Sequence, residues 1–285
     1  MPVDVTVTNP DSSSATLVGS FTYGALWTPA EITTALWLDA DDASTITTVS
    51  GNVSEWRDKS GNARHATQSV SASRPSYVAG AMGGKAVMRH AGTGEFLDLT
   101  PGLNFLSNSS AHTIFAVIES SQDGQFGGII ATQNEASNAG IQFGFGNVTP
   151  NVAIYRLQGA STRRQRTSSA SFTGAPVIAS LHYDGSGSTA GNAGIRIFKN
   201  GTEDVGAFNE ITGSGEFQKS TDHFIGIRGT TIPYDGDIAE IIILESDASS
   251  QDRQFVEGYL AHKWGLEANL PAEHPYKSAA PVITP

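Results

Sequence analysis

Residues 234–266 read YDGDIAEIIILESDASSQDRQFVEGYLAHKWGL, and they set the architecture of the chain. In DIAEIIILE, residues 237–245, four isoleucines and a leucine gather in the manner of a core strand. A helix follows. Ser249 or Ser250 can cap it, Asp252 sits in its first turn, and the spacing predicts a helix over 250–264. Phe255, Tyr259 and His262 form one line down it, and Val256, Leu260 and Trp264 an adjacent apolar ridge. Lys263 suits the negative end of the helix, and Gly265 is placed to stop it.

Upstream the pattern is strands almost throughout. ALWLDA, NVSEWRD, KAVMRH, EFLDLT, HTIFAVIES, GGIIATQ, GIQFGFG, NVAIYRLQ, APVIASLHYD, GIRIFKNG and HFIGIRG recur with turn residues between them. Asn200-Gly201 is a strong hairpin signal. Many short strands with one helix predict an all-β antiparallel sandwich or barrel. The composition agrees: of 285 residues only 16% are charged and 31 are glycine, which suits tight turns more than charged helix faces. The net charge of -11 argues against a nucleic-acid partner, whose phosphates demand basic surface. With no cysteine there are neither disulfides nor thiolate metal sites. No apolar run is long enough for a membrane-spanning helix, so membrane insertion is not expected. MPVDVTVTNPDSSS has neither the basic start nor the apolar run of a secretory signal.

Motifs at both ends carry a resemblance. LWLDADDASTIT, WRDKSGNARHATQ, RPSYV and GKAVMRHAGTGEFLDL resemble the opening of laminin-G-like, concanavalin A-like jelly-roll domains, and residues 234–266 resemble their close. The likeness spans about residues 35–276. VDVTVTNPDSSSATLVGSFTYG resembles the closing strands of an IPT/TIG domain. The expected organisation is a hairpin arm or remnant over 1–24, a linker over 25–34, a jelly roll over 35–267 that includes the helix, and a Pro-rich extended tail over 268–285.

Several groups are candidates for chemistry. Tyr234-Asp235-Gly236-Asp237-Ile238-Ala239-Glu240 resembles the Glu-x-Asp-x-x-Glu strand of laminarinase-type glycosidases, with Asp235 in the nucleophile's place and Glu240 as acid/base. Retaining hydrolysis needs those carboxyls about 5–5.5 Å apart. Alternatively these acids belong to an ordinary final strand. Asp39, Asp41 and Asp42 offer oxygen ligands for a structural calcium ion, or else cap a turn. Asp58, Asn62 and His65 read either as a polar pocket beside Trp56 or as a turn-rich connector. Arg163, Arg164 and Arg166 read as a basic hairpin loop that can hold an anion or an acidic neighbour. Tyr155, Tyr183 and Tyr234 are candidate platforms for sugar rings, with Asp235 beside the last, or else each is half-buried in the sandwich.

The resemblance implies a non-catalytic virion surface protein, a decoration, fibre or tail adhesin, with a lectin-like jelly roll for glycan or host surface. Its assembly, as a homo-oligomer or with other virion or surface proteins, would run through residues 1–24. The alternative is a carbohydrate-binding or adhesion module of a bacterial surface or secreted protein, placing the chain outside the cell. A glycosidase using Asp235 and Glu240 is the least favoured reading.

Overall fold

The computed structural model describes residues 2–22, 24–106, 110–121, 127–132, 140–145, 152–158, 163–185, 194–211, 223–229 and 231–283. The body is an all-β, antiparallel two-layer sandwich with one α-helix, α1 (Ser250–Trp264), packed on its outside. In the first layer the strands run Thr202–Asp204, Ile195–Lys199, Val177–Tyr183, His112–Ser120 and Asp235–Leu244. Two strands then share the far edge of Asp235–Leu244, Lys85–Ala91 along its first half and Leu36–Asp39 along its second. The second layer runs from Ile46–Val49 through Asn52–Trp56, His65–Thr67, Leu97–Thr100, Phe224–Ile225, Gly127–Ala131, Gly140–Phe145, Val152–Gln158 and Arg163–Ser171 to Phe208–Ile211.

Strand alternation divides the apolar residues between two cores. Leu36, Leu38, Ile114, Ala116, Ile118, Ile241 and Ile243 face the second layer. Their neighbours Trp37, Phe115, Val117, Ile242 and Leu244 face the opposite way, onto Val256, Leu260, Ala261 and Trp264 of α1. This explains the unbroken apolar run of the final strand, which is covered on both sides. The expected caps hold the helix: Ser249 Oγ accepts from the Asp252 N–H at 3.0 Å, and Gly265 closes it in the left-handed region at φ 69°.

One irregularity matters for function. Val117 pairs with Glu240 and Ile118 with Ile238, so Ala239 is an extra residue in the final strand. This bulge turns Ala239 and Glu240 successively toward the helix, where simple alternation would have sent Glu240 into the core.

Residues 25–34, expected as a linker, are bound into the body. Trp27 is buried and stacks on Phe255 at 5.4 Å, and Thr34 Oγ1 donates to the Pro29 carbonyl at 2.6 Å. Residues 268–283 form a strap lying over α1. Tyr276 stacks on Phe255 at 5.2 Å and covers Gly258, where a Cβ would stand 2.5 Å from the tyrosine's own. His274, also buried, lies 3.3 Å from Glu257. The strap ends by pairing with the chain's entry: Leu26 bridges Val282, the Trp27 N–H donates to the Pro281 carbonyl, and the Ile283 N–H to the Ala25 carbonyl.

The N-terminal hairpin is a separate two-stranded sheet, Pro2–Thr8 with Ser14–Thr22. Val5, Val7, Ala15 and Leu17 share one face and Thr6, Thr8, Ser14 and Thr16 the other. Val7 and Leu17 are 61% and 65% exposed, so the apolar face meets solvent.

Candidate functional site

The final strand carries two groups of acids in different settings. At its second half, Glu240 is fully buried beneath α1. Its Oε1 accepts from Trp37 Nε1–H at 2.7 Å and Tyr259 O–H at 2.9 Å, and its Oε2 from Trp264 Nε1–H at 2.7 Å and Lys263 Nζ at 2.8 Å. Four donors on one carboxylate satisfy its oxygens and tie three elements together: the final strand, strand Leu36–Asp39 and the helix. Burial pushes the Glu240 carboxyl upward in pKa, and the Lys263 ammonium opposes that rise. The Tyr259 phenol is driven up in turn, by its own burial first and by the carboxylate beside it second.

This arrangement removes Glu240 from any open surface. Asp235, by contrast, is partly exposed and lines a cleft. The bulge at Ala239 delivers Glu240 under the helix and not beside Asp235 in that opening.

The Asp39, Asp41 and Asp42 group is also explained by lysines. Lys59 Nζ lies 2.8 Å from both Asp39 and Asp42, Lys263 Nζ 2.6 Å from Asp39, and Lys85 Nζ 2.9 Å from Asp41. Hydrogen bonds from Lys59 and Ser44 hold the Asp42 carboxyl down at about 2. Lys85 and the Ala86 N–H outweigh burial to depress Asp41 as well. The calcium expectation is therefore corrected: ammonium groups take the oxygens that a cation would need, and no metal-holding cluster of three occurs among the described residues.

The Trp56–Ala66 string is a connector. Asp58 accepts from the backbone N–H groups of Trp37, Ser60 and Arg64 at 2.9–3.0 Å, and Asn62 Nδ2 donates to the Thr34 and Ala35 carbonyls. Tyr234 has no exposed surface: its ring stacks on Phe145 at 6.1 Å and meets His90 edge-on at 5.9 Å. It is corrected from a sugar platform to a core residue. Tyr183 is buried too. The backbone of Tyr155 pairs with Phe143 and Arg166, while its side chain lies outside the described residues.

The three arginines do not form a loop. Arg163, Arg164 and Arg166 occupy the strand Arg163–Ser171, between Val152–Gln158 and Phe208–Ile211. Alternation sends Arg164 and Arg166 to the side of core residue Leu157, and Arg163 to the other. Arg163 and Arg164 are partly buried, and Arg166 is only 2% exposed.

The open site lies at the first half of the final strand. A cleft of about 550 Å³ is lined by Arg89, His90, Glu119, Ser120, Ser121, Thr173, Asp235 and Asp237, with Gly236 among them. Arg89, Asp237 and Glu119 stand in register across three strands. Arg89 Nε and Nη2 donate to the two Asp237 oxygens, each at 2.7 Å, a two-pronged contact that fixes both side chains. Gly236, at φ 141°, is required because a Cβ would collide with the Glu119 carbonyl. Ser120 Oγ and the Ser121 N–H both donate to the Asp235 carbonyl at 3.1 Å, holding the acid's backbone at the rim. Asp235 was legible as a candidate from its motif. Arg89, Glu119 and the serines were not, since nothing in KAVMRH or HTIFAVIES says which residues will stand opposite Asp237.

No family model matches the chain, and no curated protein matches it. Among solved structures, it is similar to the binding domain of botulinum neurotoxin serotype D, with a TM-score of 0.51, 12% identity, 79% of this chain covered and 50% of that one. It also aligns with the CBM40 module of Ruminococcus gnavus IT-sialidase bound to α2,3-sialyllactose, at a TM-score of 0.44 and 14% identity, over 58% of this chain and 92% of that module. Trypanosoma rangeli sialidase in complex with sialic acid aligns at a TM-score of 0.49 and 11% identity, over 85% of this chain and 36% of that enzyme. The chain spans about half of the neurotoxin chain it matches. Layering, the covered final strand and this likeness agree on one fold, a concanavalin A-like jelly roll with an added hairpin and a C-terminal helix.

Proposed function

We propose that the chain is a non-catalytic carbohydrate-binding or adhesion module, of a bacterial surface or secreted protein, that holds its glycan in the Arg89–Glu119–Asp235–Asp237 cleft. The observation that carries this reading is the cleft itself. Its volume suits one or two sugar rings, and rigid strands present fixed carboxylates, hydroxyls and a guanidinium at its walls. A carboxylate accepts from neighbouring sugar hydroxyls, and the Asp237-anchored guanidinium is held ready to donate. Absence of hydrolysis is part of the proposal, supported by the sealed position of Glu240. The test is a glycan array with the intact chain and with Asp235→Ala. Retained glycans that Asp235→Ala releases support the reading; an empty array overturns it. Hydrolysis of laminarin-like β-glucans, lost in Glu240→Gln, would instead restore a glycosidase.

A second reading, a virion surface protein assembled through residues 1–24, is favoured by the hairpin's exposed Val5, Val7 and Leu17. An amphipathic two-stranded sheet is marginal alone and gains by docking. Light scattering of the whole chain beside one lacking residues 1–24 tests it. A symmetric oligomer that collapses on truncation supports assembly, and two monomers remove it.

A further inference from the structure

Asp39, Glu240 and Lys263 meet beneath α1 at contact distance and away from water. Asp39 and Glu240 are paired in register on adjacent strands, and Lys263 reaches both from the last turn of the helix. Its Nζ stands 2.6 Å from Asp39 Oδ1, 2.8 Å from Glu240 Oε2 and 3.2 Å from the Tyr259 hydroxyl. The side chains of the lysine, the aspartate and the glutamate are 16%, 5% and 0% exposed. The rings of Trp264 and Tyr259 flank the ammonium at 5.3 and 5.5 Å, and the Trp37 indole covers the glutamate. An amine and a carboxyl held together in a dry site act as reactants at a very high effective concentration. Burial also favours the neutral amine and acid over the charged pair, and those are the forms that condense.

Neighbouring groups supply the other parts of an acyl transfer. Asp39 Oδ2 accepts from Lys59 Nζ at 2.8 Å, so an ammonium already sits where negative charge develops when the carboxyl carbon is attacked. The Asp41 N–H donates to Oδ1 at 3.1 Å and fixes the plane of the carboxyl. Glu240, its pKa pushed upward by burial, is suited to take a proton and return it.

We propose that Lys263 and Asp39 condense into an intramolecular amide, with Glu240 as the catalytic acid/base; this goes beyond the glycan-binding reading and does not depend on it. One proton passes from Nζ to Oδ1, leaving amine and acid. The Nζ lone pair then bonds to Asp39 Cγ, and the C=Oδ2 electron pair moves onto Oδ2 beside Lys59. Glu240 removes a second proton from Nζ and delivers it to the Oδ1 hydroxyl. The Cγ–Oδ1 bond breaks, water leaves, the carbonyl re-forms at Oδ2, and the third proton stays on the amide nitrogen. Ammonium plus carboxylate thus give amide plus water, with no further reactant. The bond would fasten α1 covalently to strand Leu36–Asp39.

The experiment is intact-mass spectrometry of the full chain, followed by mapping of its proteolytic peptides. The chain should be lighter than its sequence by one water, and a branched peptide should join Asp39 to Lys263. Lys263→Arg, which keeps the charge, and Asp39→Ala should each restore the sequence mass, and Glu240→Gln should leave most of the chain unreacted. Lys85→Arg, whose contact is with Asp41, should leave the bond in place. A wild-type chain at its full sequence mass overturns the proposal whatever the variants do. So does a water loss that survives Lys263→Arg, which would assign the bond to another lysine such as Lys59. A loss reversed by mild alkali would mark a succinimide at an Asp-Gly step such as Asp235-Gly236, and would overturn it equally.

Discussion

Asp237 and Glu240 stand three residues apart on one strand, yet Asp237 meets a half-exposed arginine at an open cleft while Glu240 is shut beneath α1 with four donors. The extra residue Ala239 separates these fates, since it puts Glu240 where the helix delivers an indole, a phenol and a lysine and the neighbouring strand a second indole. The lesson is that spacing between acids on a strand says little about a site until what covers each half of the strand is known. One half serves attachment of the helix. The other opens onto the cleft.

Breaking the sealed half should cost most. Glu240→Ala leaves two indole N–H groups and the Tyr259 hydroxyl without their acceptor and Lys263 with Asp39 alone, and should lower stability by about 3–5 kcal/mol in denaturant titration. A loss below about 1 kcal/mol would mean that water reaches this carboxylate. Acid comes next. His90 and His112 are fully buried, and burial holds each at about 4, whereas in the unfolded chain each protonates near its ordinary value of 6.5. The unfolded state therefore binds more protons between those values. Stability should be complete above pH 6.5 and fall by a few kcal/mol, in order of magnitude, as pH drops toward 4. Unfolding free energies measured across that range check the sign.

At the open half the effects on stability should be small. Arg89→Ala removes the pair with Asp237, but the arginine side chain is 49% exposed, so solvent screening limits the loss to about 1 kcal/mol. Asp235→Asn and Glu119→Gln should alter stability by less than about 0.5 kcal/mol while weakening glycan retention on the array. Were either to destabilise as much as Glu240→Ala, the cleft would be a structural element and the contrast between the halves would fail.

The fold was readable because alternation and capping are local. LWLD, HTIFAVIES and DIAEIIILE declare themselves as strands covered on both sides, and Ser249, Asp252 and Gly265 frame the helix within a few positions, whereas the extra residue Ala239 and the side to which Glu240 turns were not readable. The site was not, because its contacts are set by register between distant strands. Trp37 reaches Glu240 across 203 positions, Arg89 reaches Asp237 across 148, and no spacing rule joins them. For aspartates 39, 41 and 42 the turn capped by Asp42 was legible, but their lysines, from positions 59, 85 and 263, were not. For Tyr234 the sequence left a sugar platform and a place in the sandwich both open, because what packs on its ring, Phe145, lies 89 positions away.

The pairing of residues 25–27 with 281–283 has a mechanical consequence. Ala25 lies opposite Ile283 and Trp27 opposite Pro281, so both ends of the body leave from the same end of a short antiparallel bridge. A pull on the two ends loads these hydrogen bonds one after another, in peeling and not in shear. The bridge should open at low force, freeing the strap before the sandwich bears tension. An adhesive module tethered at both ends would then have an extensible mount, able to give slack while its cleft stays folded.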